Sequence, residues 1–274
     1  MKTKIQNTPG EASLKQHRIV SSEEWLVARK ELLIKEKELT RLNDQLSEER
    51  RNLPWVRIDK TYEFDTLTGK QTLAELFDGR SQLIIKHFMF GPGRKEGCVG
   101  CSFGSDHIDG ANMHLKHHDV TVVAVSRAPL AEIEPFRQRM GWHFKWVSSY
   151  NSDFNFDFYV SATKEDIERG EMYCNYKMQP LQGEEMSGLS VFYKDEEENI
   201  YHTYSTYGRG DEKILGTYML LDLTPKGRNE TGPYFSLGDW VRHHDKYEAG
   251  GYVNATGRYI AEEKKDSCCG TDPD

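Results

Sequence analysis

The 274-residue chain has no run approaching the roughly 20 apolar residues of a membrane span, so no membrane partner is expected. Residues Met1 to Val20 lack the apolar core of a secretion signal, which makes a cytoplasmic location the expectation. With 36 basic against 44 acidic residues, no lysine and arginine cluster is dense enough to follow a phosphate backbone, and nucleic acid is not expected as a partner. Five cysteines are too few and too unevenly spaced for a disulfide framework. No internal repeat is present, and nothing in the chain calls for an organic cofactor.

What remains is long enough for one large α/β core with additions. The reading divides the chain into a flexible N-terminus (1–20), an amphipathic helical arm (21–53), a central domain (54–247) and a flexible C-terminal tail (248–274). The arm opens on Ser21, a helix cap, with Glu24 placed to close a capping box. Leu32, Leu39, Leu46 and Leu53 recur every seven residues, extended by Trp25 and Leu42, and Pro54 stops the helix. This stripe is expected to pack on its own domain, with a homodimer through the helix as the alternative.

The core pattern starts at Gln82–Phe90, an apolar run of strand length, followed by Gly91-Pro92-Gly93 and then Cys98 and Cys101. Helical spacing from Cys98 to about His118 and the β-branched run Val120–Val125 complete a βαβ unit. Pro129–Met140 reads as a helix ending at Gly141, and Phe144–Val147 as a strand. Residues 150–188, with Asp153 to Phe158 neither clean strand nor clean helix, read as an insertion. Leu189–Tyr193 and Ile200–Tyr204 form a hairpin, and Asp211–Leu221 a closing helix.

The attacking species in disulfide exchange is the thiolate, and the first turn of a helix favours an anion through its unpaired N–H groups. Cys98 is therefore the expected nucleophile, with Arg94 and Lys95 adding positive potential, and Cys101 the resolving thiol. The competing reading is half of a metal site, completed by His114, His117 and His118 or by His243-His244-Asp245. Cys268-Cys269 reads either as an incidental pair or as a mobile dithiol that exchanges with the first; Cys174 reads as unreactive packing.

The runs Lys86-His87-Phe88-Met89-Phe90-Gly91-Pro92, Gly97 to Phe103, Ser126-Arg127-Ala128-Pro129, Met140-Gly141-Trp142, Trp146-Val147-Ser148-Ser149, Tyr204-Ser205-Thr206-Tyr207 and Asp222-Leu223-Thr224-Pro225 resemble the domain-of-unknown-function 899 family over about Glu24 to Tyr247. The resemblance implies a thioredoxin-like three-layer fold with a central mixed sheet, an N-terminal helical arm and an insertion before the last hairpin. It also implies a dithiol-disulfide oxidoreductase. Its substrate would be a protein or small-molecule disulfide and its electron donor an unidentified reductase. The alternative is a non-enzymatic thioredoxin-like module that binds metal or protein.

Independently of the family, Cys98 and Arg127 both follow parallel strands at one sheet edge, and Arg127 is expected to steady the thiolate or an acidic group of the substrate. Where thioredoxins carry a cis-proline ahead of a strand like Val191–Tyr193, this chain has Leu189-Ser190. The peroxiredoxin pattern Pro-x-x-x-Thr-x-x-Cys is also missing, since Gly91 and Lys95 occupy its proline and threonine positions.

Overall fold

A computed structural model describes residues 17–230, 232–233, 236–247, 251–253 and 259–261. The expectations for 1–16 and for most of the tail, Cys268-Cys269 included, lie outside the described residues. Helix α1 (Ser22–Arg51) begins as the sequence predicts: Glu24 N–H donates to Ser21 Oγ and Ser21 N–H to the Glu24 carboxylate.

The strands are β1 (Val56–Arg57), β2 (Glu63–Thr66), β3 (Gly69–Thr72), β4 (Gln82–His87), β5 (Val120–Ser126), β6 (Lys145–Ser148), β7 (Glu171–Cys174), β8 (Lys177–Pro180), β9 (Gly188–Lys194) and β10 (Ile200–Tyr207). Eight of them form one sheet in the order β1-β10-β9-β4-β5-β6-β2-β3. Within it β4, β5 and β6 run parallel, joined by α2 (Val99–His117) and α3 (Leu130–Arg139), while β9 lies antiparallel to β4 and β10 to β9. A helix-linked parallel pair beside an antiparallel hairpin, in the order β5-β4-β9-β10, is the thioredoxin-like arrangement.

Side chains on a strand alternate between sheet faces, so β4 serves two compartments. Leu83 and Ile85 enter a core with Phe64, Phe77, Val123, Phe154 and Phe192. His87, fully buried on that face and held neutral by burial with a pKa near 3, bonds Ser190 Oγ at 2.7 Å. Ile84 packs with Phe88 against Val122, Phe136 and Trp146 on the other face, beneath α2, and Lys86 belongs to that side.

The structure corrects four readings. The strand β4 ends at His87, leaving Phe88–Phe90 as loop with both phenylalanines buried. The insertion contains α4 (Phe154–Asp157), α5 (Lys164–Arg169) and the β7–β8 hairpin. The closing helix is shorter than the expected Asp211–Leu221: Gly208–Ile214 is 3-10, and only α6 (Gly216–Leu221) is α-helical, starting at the one glycine inside the expected span. The apolar stripe of α1 packs on none of the described residues; its root alone is held, with Trp55 tilted against Tyr193 and Arg50 over Tyr204.

Candidate active site

Cys98 is the cap residue of α2, and its placement follows from a crowded approach. A Cβ on Gly97 would stand 2.5 Å from the Phe88 ring and 2.9 Å from Phe136, so only glycine lets the loop come this close to the core. The Cys98 N–H donates to Met89 O at 3.1 Å, and its carbonyl accepts from the Ser102 N–H and Oγ–H. The Cys98 sulfur lies at the start of α2, 3.9 Å from where a Gly100 Cβ would be, and the Cys101 thiol and the N–H groups of Cys101 and Gly100 act on it.

The Cys101 thiol bond is the largest influence holding Cys98 low. Together with the two N–H groups and the nearby Lys86 ammonium it outweighs burial and brings the Cys98 pKa down to about 6. Cys101, only 2% exposed, is pushed well up by sharing its proton with Cys98 and by burial. One cysteine is thus partly buried and acidic, the other enclosed and protonated. Because folding lowers the Cys98 pKa from an ordinary 9.0, the stability it confers is present above pH 9 and is lost as pH falls toward 6. Peptide-resolved iodoacetamide alkylation of the reduced protein is expected to label Cys98 with a midpoint near pH 6 and to spare Cys101; a midpoint near 9 would contradict the geometry.

Both sulfurs line a cavity of about 310 Å³ whose wall includes Met89, Ser187, Asp211, Tyr218 and Leu237. Its floor holds Lys86, whose side chain is 3% exposed and whose Nζ donates to Asp211 Oδ2 and to Ser187 Oγ, each at 2.7 Å. Ser187 Oγ donates in turn to the same carboxylate oxygen at 2.9 Å. Lys86, rather than Arg94 or Lys95, is the cation acting on the two thiols. The residue leading into the hairpin beside the dithiol is Ser187, since β9 starts at Gly188; Leu189 and Ser190 lie within the strand.

The C-terminal segment closes the loop from above. Leu237 Cδ1 lies 3.1 Å from where a Gly100 Cβ would be. His243 is buried, its Nε2–H donating to Gly97 O at 3.0 Å and its Nδ1 accepting from Arg139, which fixes a neutral tautomer that burial also favours. Glu96 binds Arg139 at 2.6 Å and Lys246 at 2.9 Å, and Arg139 binds Asp245 at 2.8 Å. His244 bonds Asp106. The histidines nominated as metal ligands are thus engaged with the fold or, in the case of His114, His117 and His118, exposed at the end of α2; among the described residues no three histidine, cysteine or acidic side chains converge as a metal site.

Arg127 follows β5 as predicted, at the same sheet edge, but its partners are Glu185 at 3.5 Å and the Phe156 ring at 4.7 Å, and it is not part of the cavity wall at Cys98. Glu185 is buried enough that its pKa rises to about 7 despite Arg127 and Arg94. Cys174 lies buried against Ala162 and Met172, its thiol pushed up by burial.

Sequence reading found both cysteines and missed Lys86, Ser187, Asp211 and His243 as part of their surroundings. A lone lysine in an otherwise apolar strand is a readable signal for the first. Asp211 lies in a glycine-broken stretch without periodicity, and nothing in the chain announces its return to β4.

A sheet of this order, with a partly buried cysteine capping the helix after β4 and a buried cysteine in that helix's first turn, defines a thioredoxin-like protein. The family model for bacterial proteins of unknown function, DUF899, matches residues 14–247, and the chain belongs to that family. No curated protein matches it. Similar solved structures include peroxidoxin BcpB from Mycobacterium tuberculosis, 13% identical over 60% of this chain and 95% of the other, with a TM-score of 0.37. A peroxiredoxin Q variant from Xylella fastidiosa is 13% identical over 58% and 88%, at 0.36. A yeast mitochondrial 1-Cys peroxiredoxin is 15% identical over 60% and 74%, at 0.35. Among the described residues no helix is long and apolar enough to cross a membrane.

Proposed function

We propose that the protein is a thiol-disulfide oxidoreductase. The observation that carries this reading is the asymmetry of the pair: Cys98 partly buried with a pKa near 6, Cys101 enclosed and protonated beside it. The Cys98 thiolate attacks one sulfur of a substrate disulfide; that S–S bond breaks, a Cys98–substrate disulfide forms, and the other substrate sulfur leaves as a thiolate that takes a proton. Cys101 then gives up its proton and attacks Cys98. The second substrate thiol departs, the substrate has gained two electrons, and the protein holds a Cys98–Cys101 disulfide for a reductase to reopen.

The full-length reduced protein is expected to reduce insulin disulfides and to equilibrate with a glutathione redox buffer at a definite potential. A value near about −270 mV makes it a reductase and one near about −120 mV an oxidant. Absence of exchange together with stoichiometric bound metal would overturn the assignment in favour of a binding module. Arg127 enters as a substrate-positioning residue: its guanidinium, anchored by Glu185 and Phe156, takes an acidic group of the disulfide partner. Arg127→Ala is expected to raise KM by roughly tenfold with the Cys98 alkylation midpoint unmoved, a loss of ground-state binding; an unchanged KM rules the role out.

A further inference from the structure

Helix α1 is about 45 Å long at 1.5 Å per residue and buries none of its side chains against the described residues. Trp25, Leu32 and Leu39 are each more than half exposed, and a helix carrying such a stripe gains most of its stability from whatever covers it. Between Ser21 and Leu53 the sequence holds eight acidic and seven basic residues. That balance lacks the positive charge which draws an amphipathic helix to an anionic lipid surface, and suits a helix partner instead.

We propose that the partner is a second copy of this chain and that the two arms pair antiparallel. Leu32, Leu39, Leu46 and Leu53 occupy one seam position of the heptad, and Ala28, Lys35, Leu42 and Glu49 the other. A parallel pair in register sets Lys35 against Lys35 and Glu49 against Glu49, like charges at the centre of the interface. Running the copies in opposite directions with Leu39 on Leu42 of the second copy pairs Leu46 with Lys35 and Leu32 with Glu49. Lys35 then comes within one turn of Glu49 of the second copy, and the repulsion becomes attraction.

The same register carries the arm's tip to a prepared seat. Trp25 projects past the end of the second copy's helix, which stops at Arg51, toward the segment that leads into β1 at Val56. Val56 forms part of the wall of a cavity of about 570 Å³, lined also by Phe158, Tyr159, Tyr173, Tyr176 and Tyr207. Tyr159 and Tyr173 meet edge to face at 4.8 Å, and Tyr159 and Tyr176 hold positive φ, which keeps them in an uncommon backbone conformation at this wall. An aromatic hollow with a largely exposed tryptophan delivered to its rim is the second half of the interface.

Sedimentation equilibrium of the full chain tests this. The wild type is expected to be a dimer at micromolar concentration. Lys35→Glu should raise its dissociation constant roughly tenfold, since a carboxylate introduced there would face Glu49 of the second copy, and adding Glu49→Lys should restore it. Trp25→Ala should weaken it by a similar factor with the helix signal retained in circular dichroism. A monomeric wild type overturns the proposal. So does a charge-swapped double variant no tighter than Lys35→Glu alone, which removes the antiparallel register.

Discussion

Cys98→Ser is expected to lower disulfide reduction by roughly a thousandfold or more, the cost of deleting the nucleophile, while Cys101→Ser binds substrate and stops. The two outcomes differ because the sulfurs differ in exposure and proton affinity. In Cys101→Ser the Cys98 sulfur still reaches solvent, attacks, and forms a mixed disulfide that nothing inside the protein can resolve. That adduct should accumulate to near stoichiometry and be visible by non-reducing electrophoresis and mass spectrometry. Loss of the Cys101 thiol bond should also move the Cys98 midpoint upward, since that bond is the largest influence lowering it. Adducts forming on Cys101 in Cys98→Ser would reverse the assigned roles.

Lys86→Met should be the most destabilising single change at the site. It leaves the Asp211 carboxylate, 16% exposed, with its Ser187 bond but without its ion-pair partner, a situation that costs about 3–5 kcal/mol. Urea unfolding measures it. The double variant Lys86→Met with Asp211→Leu removes both charges and is expected to recover most of that loss, because a buried ion pair and well-packed apolar side chains of similar volume are close in stability. The thiols should not recover with it: both feel the ammonium, so the Cys98 midpoint stays raised in the double variant. Stability and thiol acidity would thereby be separated in one experiment. If the midpoint follows stability back to its starting value, Lys86 acts on the fold alone.

Local patterns made part of this legible in the chain. The capping box at Ser21, the alternation of β-branched strand and helix from Gln82 to Val147, and the glycine-flanked cysteines are all short-range features, and each is found where spacing puts it. The cavity is different. Lys86 meets Asp211 across 125 residues and Gly97 meets His243 across 146, pairings for which no periodicity exists. The stripe on α1 departs from its expected packing for a related reason: heptad spacing reports that an apolar face needs covering and is silent on which molecule covers it.

The clamp formed by Leu237, His243 and Lys246 over the dithiol loop has a consequence for the order of biosynthesis. Residues 97–101 leave the ribosome long before residues 237–246, so a nascent chain carries both cysteines while the contacts that shape their loop have yet to be translated. Until then the pair lacks the surroundings that residues 237–246 supply, so the shape of the Cys98 loop is completed only near the end of synthesis.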